Sequence, residues 1–265
     1  MTASEREPRR PHRGIFLLPN LFTTGGLFAG FYAIIAAMQG HYTDAAIAVF
    51  VAGILDGLDG RIARMTGTQS EFGVQYDSLA DLVSFGMAPA LVMYAWSLSL
   101  LAGLGPTWGK VGWAAAFLYA ACAALRLARF NTQVGVIDKR YFQGLASPAA
   151  AGLMMAFVWT LTDAQVSGAD IAPVALALTV TVALLMVSRI RYYSFKSLPL
   201  GDRVPFIWIP LVVGIFVLLA IDPPRVLLTI GVIYVLSGPV LTLWGLRRRR
   251  ERREPAARGE GGGQA

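Results

Sequence analysis

Cysteine is almost absent from this chain: Cys122 is the only one in 265 residues. That excludes an internal disulfide framework and any metal site built from several thiolates. Inside an apolar run, Cys122 reads as a small packing residue. Charge is scarce as well, at 15% of residues against 55% hydrophobic. Several apolar runs approach or exceed the roughly 20 residues that cross a bilayer. Together these exclude a soluble core and point to a polytopic membrane protein. No internal repeat and no low-complexity tract precede the C-terminal tail. One membrane domain is therefore expected over residues 15–246, between a basic N-terminal segment (1–14) and a tail (247–265) that is first basic and then disordered. The first apolar stretch is too long for a signal-peptide core, and no small-residue cleavage site is obvious, so it reads as a retained helix.

Basic residues are nearly missing from one side of the expected membrane layout. Eight spans fit the apolar runs, at 16–38, 43–65, 78–103, 110–130, 145–163, 171–189, 204–221 and 225–246. With the N-terminus in the cytoplasm, 21 of the 23 Lys and Arg fall in cytoplasmic segments, and only Lys110 and Arg225 fall outside. The expected fold is thus all-α, a polytopic bundle of about eight transmembrane helices with both termini cytoplasmic. The arginine run Arg247 to Arg250, Arg252 and Arg253 directly follows the last span. That placement suits anionic lipid headgroups or a topology signal better than nucleic acid.

What the chain does contain is a concentration of acid. Asp56, Asp59, Asp77 and Asp81 fall within 26 residues of otherwise apolar sequence. Spacings of three and four place each pair on one helix face. Asp56, Asp59, Gly60, Ala63 and Arg64 share an arc of about 140°, and Gly73, Asp77 and Asp81 form a similar strip on the next helix. A carboxylate at the centre of a membrane helix costs about 2.5–3.5 kcal/mol. Two like charges about 4 Å apart add roughly 4 kcal/mol at an effective dielectric of 20. A shared divalent cation relieves both, and oxygen ligands suit Mg²⁺, Mn²⁺ or Ca²⁺. Two such ions could clamp a diphosphate during phosphoryl transfer. Gly60 and Gly73 would admit a substrate close to the backbone, and Arg64 could pair with a phosphate. Two other readings are open: solvated acids paired with Arg61 and Arg64, or the ion path of a cation transporter. Against the transporter, no acid lies mid-span in spans 4 to 8.

Two further groups lie at the expected cytoplasmic ends of spans. Asn20 is either a helix cap or a nucleotide contact. Arg126 and Arg129, with Asn131 just beyond, share a face at the inner end of span 4. They either anchor that span or bind an anionic substrate group.

The run D-x-x-D-G-x-x-A-R-x8-G-x3-D-x3-D, from Asp56 to Asp81, resembles at every fixed position the motif of the CDP-alcohol phosphotransferase family. The resemblance extends over about residues 13–245. It is strongest at Pro19-Asn20-Leu21-Phe22-Thr23, Gln69 to Pro89, Arg126 to Asn131, and Gly144 to Ala151. It implies a bacterial inner-membrane enzyme with its site on the cytoplasmic side, a CDP-diacylglycerol donor, Mg²⁺ or Mn²⁺ (two ions), and a homodimer. It further implies metal ligation by Asp56, Asp59 and Asp77. Asp81 would be a partial ligand and mainly the general base. Asn20, Gly60, Ala63, Arg64 and Gly73 would contact the donor. The segments at Arg126 to Asn131 and Gln143 to Ala150 look like the branch whose acceptor is L-serine. This makes Arg126, Arg129 and Asn131 candidates for the acceptor pocket, with glycerol 3-phosphate or an inositol phosphate as the alternative acceptor. Ala146 departs from that branch, which more often has proline there.

Overall fold

A computed structural model describes residues 17–67, 70–133, 141–193 and 208–259. The basic segment 1–14, Gln69, and Lys139, Arg140, Lys196 and Arg203 of the expected cytoplasmic loops lie outside the described residues.

Helices α1 (Leu17–Met38) and α2 (Tyr42–Thr66) form a hairpin, turned at Gly40 with φ +81. They meet through alanine: Ala29, Ala33, Ala36 and Ala37 of α1 and Ala45, Ala46, Ala48 and Ala52 of α2 are all buried. In lipid, helices gain little from hiding apolar surface from one another. Small side chains that let backbones approach supply the packing instead. Ser70 begins α3 (Glu71–Asp81), its Oγ accepting the Gly73 N–H at 3.0 Å. This is an ordinary serine N-cap.

α3 does not stop at Asp81. It runs through one π-helical turn, Leu82–Met87, into α4 (Ala88–Trp96), and a 3₁₀ segment follows, Leu98–Leu104. The π turn is pinned from two sides. Tyr119, fully buried on α5 (Pro106–Gln133), donates its hydroxyl to the Phe85 carbonyl at 3.0 Å. Ser84 donates to the Gly26 carbonyl of α1, also at 3.0 Å. A Cβ on Gly30 would lie 2.7 Å from the Ser84 Cα, so this crossing requires glycine.

Helices α6 (Ser147–Asp163), α7 (Ala172–Val187), α8 (Trp208–Ile221) and α9 (Pro223–Gly259) complete the described fold. A short antiparallel ladder joins two loops: β1 (Tyr141–Gln143) pairs with β2 (Arg191–Tyr193), Phe142 opposite Tyr192. The spacing of apolar runs predicts plain loops here, since three-residue strands are too short to show an alternating pattern. Gly144 closes the ladder with φ +83, its N–H donating to the Ile190 carbonyl at 2.9 Å. The buried Tyr192 ring fills the space beside Gly238, and its hydroxyl donates to the Val235 carbonyl of α9 at 3.2 Å.

Each of the eight expected stretches falls on helix, with shifted edges; the third begins at Glu71 rather than residue 78. Four segments among the described residues are long and apolar enough to cross a membrane: Pro19–Met38, Glu71–Leu104, Pro106–Thr132 and Pro223–Thr242. α2 has the length but carries Asp44, Asp56, Asp59, Arg61 and Arg64, and α6 has 17 residues. Helix α9 continues to Gly259, so residues 254–259, expected to be disordered, have helical backbone. Glu, Arg and Ala are good helix formers, and they extend the preceding span.

Candidate active site

The acidic cluster is built by two helices that α1 holds together. Asp56 and Asp59 lie one turn apart on α2, and Asp77 and Asp81 one turn apart on α3; α1 packs against both. One carboxylate oxygen from each of Asp56, Asp59 and Asp77 lies within 4.8 Å of the others. Oxygens bound to one ion at about 2.0–2.6 Å can be no more than about 5 Å apart. The three acids therefore fit a hard divalent cation.

Asp81 is not one of that trio. It lines the same pocket, alongside Asp56, Asp59, Asp77 and Thr23. Asp81 thus stands beside the three grouped acids and not among them.

Asp59 is the buried member, 3% exposed. Thr23 of α1 donates to its Oδ2 at 2.7 Å, and the Gly60 N–H also bonds to it. The Thr23 hydroxyl is in addition 3.1 Å from the Pro19 carbonyl, one turn back on α1. A buried carboxylate needs such partners, because lost hydration is costly and its acidic neighbours repel it.

The candidate donor contacts divide into two neighbouring groups. Asn20 and Gly73 come together across α1 and α3, with a Cβ on Gly73 falling 3.6 Å from the Asn20 Oδ1. Thr24 and Tyr76 hydrogen-bond beside them at 2.9 Å. On α2 the Arg64 Nη1 lies 3.9 Å from where a Gly60 Cβ would sit, so the guanidinium folds back along the glycine. Ala63 is half-buried on the same helix.

Of the candidate acceptor residues, Arg126 donates from Nη1 to Ser147 Oγ at 2.6 Å, linking α5 to the start of α6. Asn131 donates to Ser78 Oγ at 2.9 Å, tying the end of α5 to the residue after Asp77. Arg129 is half-buried one turn beyond Arg126. Thr23, Ser78, Ser147, Tyr119 and the π turn are absent from the sequence reading as site elements. Thr23, Ser78, Ser147 and the π turn lie inside the stretches of strongest resemblance, which was the available signal. Nothing in residue spacing marks Tyr119 or the π turn.

The model for the CDP-alcohol phosphatidyltransferase family matches residues 16–187, which is α1 to α7. It ends before the last two helices, short of the 13–245 that the residues suggest. A protein of Helicobacter pylori named CDP-diacylglycerol–serine O-phosphatidyltransferase is 38% identical over 187 residues, covering 71% of this chain and 76% of that protein. One of the same name from Mycobacterium tuberculosis is 43% identical over 155 residues, 55% of this chain and 51% of its own length. An archaetidylserine synthase of Methanothermobacter thermautotrophicus is 32% identical over 182 residues, covering 66% and 69%.

Proposed function

Because the chain belongs to the CDP-alcohol phosphatidyltransferase family, we propose that it transfers the phosphatidyl group of CDP-diacylglycerol to the hydroxyl of L-serine, releasing CMP. The observation that carries this reading is the convergence of Asp56, Asp59 and Asp77 from two helices, with Asp81 beside them. The choice of serine is supported by the names of the relatives.

In this reading Asp56, Asp59 and Asp77 hold Mg²⁺ or Mn²⁺, as two ions with a partial contribution from Asp81. When bound, the metal neutralises charge on the donor's diphosphate and on the leaving phosphate. Asn20, Gly60, Ala63, Arg64 and Gly73 hold the CDP portion. The serine oxygen attacks the phosphorus that bears diacylglycerol, and the bond from that phosphorus to the CMP oxygen breaks. Asp81 takes the proton from the serine hydroxyl, and CMP departs with the bridging oxygen and its electron pair. Arg126, Arg129 and Asn131 form the acceptor side, where a guanidinium can bind the serine carboxylate. The clustering of positive charge in alternate loops supports eight spans, cytoplasmic termini and a site opening to the cytoplasm of a bacterial inner membrane. The family resemblance supports a homodimer.

An acceptor panel tests the reading. Purified protein with CDP-diacylglycerol should release CMP and form phosphatidylserine when L-serine is supplied. Transfer to glycerol 3-phosphate or inositol phosphate, with none to serine, would overturn the acceptor and leave the phosphotransferase chemistry standing.

A further inference from the structure

We infer that Ser147 is a specificity-determining positioning residue, whose hydroxyl holds the Arg126 guanidinium in place to receive the carboxylate of the acceptor beside Asp81. The inference rests on the proposed acceptor reading and adds to it a residue that acts through Arg126.

Three observations carry it. Ser147 is fully buried at the first turn of α6, an unusual place for a hydroxyl in an apolar helix unless it has a partner. Its position is fixed from behind: Gly144 turns the chain with positive φ, and the Leu145 N–H donates to the Leu185 carbonyl of α7 at 3.0 Å. A Cβ at residue 144 would collide with the Met186 carbonyl, so the backbone leading into Ser147 has little freedom.

The partner is Arg126, at 2.6 Å through Nη1. The Nε of the same guanidinium is buried and has no hydrogen-bond partner among the described residues. A buried charged donor with nothing to donate to is costly, and its persistence points to a ligand group that is absent from the free protein.

The surroundings say what kind of group. Arg126 is within electrostatic range of Asp81 and of the Tyr119 and Tyr234 hydroxyls. Tyr119 is already committed to the Phe85 carbonyl. Asp81 makes no ion pair with Arg126 at contact distance among the described residues. The arginine is therefore not simply neutralising the acid. With Nη1 held by Ser147, the Nε side of the planar fork remains, and that side can accept a carboxylate through two parallel hydrogen bonds. An acceptor bound there would have its carboxylate at Arg126 and the rest of a short molecule near Asp81.

The test uses the full chain in detergent micelles with CDP-diacylglycerol, comparing L-serine with ethanolamine, which is serine without its carboxylate. Ser147→Ala removes the hydroxyl. Ser147→Cys keeps the volume but offers a poor acceptor. Both should raise the KM for L-serine about tenfold and leave the KM for CDP-diacylglycerol within about twofold. That tenfold change corresponds to roughly 1.4 kcal/mol. The preference for L-serine over ethanolamine should fall by a similar factor. If the wild type uses serine and the variants keep its KM, or shift donor and acceptor KM together, Ser147 only packs and the inference fails while the proposed function stands. Loss of the folded form in both variants, read as the thermal transition in micelles, would equally assign Ser147 a purely structural role and overturn it. A wild type that never uses serine would overturn the acceptor reading and the inference with it.

Discussion

Thr23 on α1 donates a 2.7 Å hydrogen bond to the buried carboxylate of Asp59 on α2, across 36 positions of sequence. The bond ties Asp59 Oδ2 on α2 to α1. It also makes α1, which contributes no acid to the cluster, part of the site.

Thr23→Val keeps the shape and removes the donor. Outer partners of metal-binding carboxylates typically contribute about 10–100-fold in affinity or activity. The expected result is a rise of at least tenfold in the Mg²⁺ or Mn²⁺ concentration giving half-maximal CMP release, with the protein still folded. An unchanged metal titration would show that Asp59 is oriented by the Gly60 N–H alone.

Metal removal is the more direct test of the trio. Exhaustive chelation should abolish CMP release, and Mg²⁺ or Mn²⁺ should restore it. Three acids with oxygens within 4.8 Å of one another repel strongly without a cation between them. Full turnover after chelation would show that the cluster works without metal.

The acids were legible in the sequence because helical spacing alone sets them on one face, and because apolar surroundings make unpaired charge improbable. The helices were legible for a related reason: long apolar runs have few other solutions in a bilayer. What was hidden depends on contacts between distant residues. Thr23 is one threonine among several until α1 and α2 pack. The π turn after Asp81 leaves no mark on the apolar pattern, since Leu82 to Met87 reads as ordinary helix. The β1–β2 ladder is too short to announce itself, and Tyr192 is understood only once Gly238 of α9 faces it.

Asp77 and Asp81 are one turn apart on α3 yet differ in place, and substitution should separate them. Asp77→Asn removes one of three closely grouped carboxylates. It should abolish turnover and weaken metal binding. Asp81→Asn leaves the trio intact and should lower kcat by about 10²–10⁴-fold, the range for a lost general base. Donor binding and the metal titration should stay near wild type. Comparable loss of metal and donor affinity in both variants would place Asp81 among the principal ligands.

The acceptor side makes the sharpest demand on geometry. Arg126 is anchored to Ser147 by one end of its fork and has a buried Nε without a partner among the described residues. Lysine would keep the charge at that position but not the planar pair of donors. Arg126→Lys should therefore raise the KM for L-serine by tenfold or more, roughly the loss of one charge-assisted hydrogen bond, with a much smaller change for CDP-diacylglycerol. Arg129→Lys offers the comparison, because Arg129 stands one turn farther along the same helix. If the serine carboxylate sits on Arg126, the Arg129 variant should show the weaker effect on serine KM. The opposite order, with serine kinetics sensitive to residue 129 and indifferent to residue 126, would move the carboxylate one turn towards the end of α5 and away from Asp81.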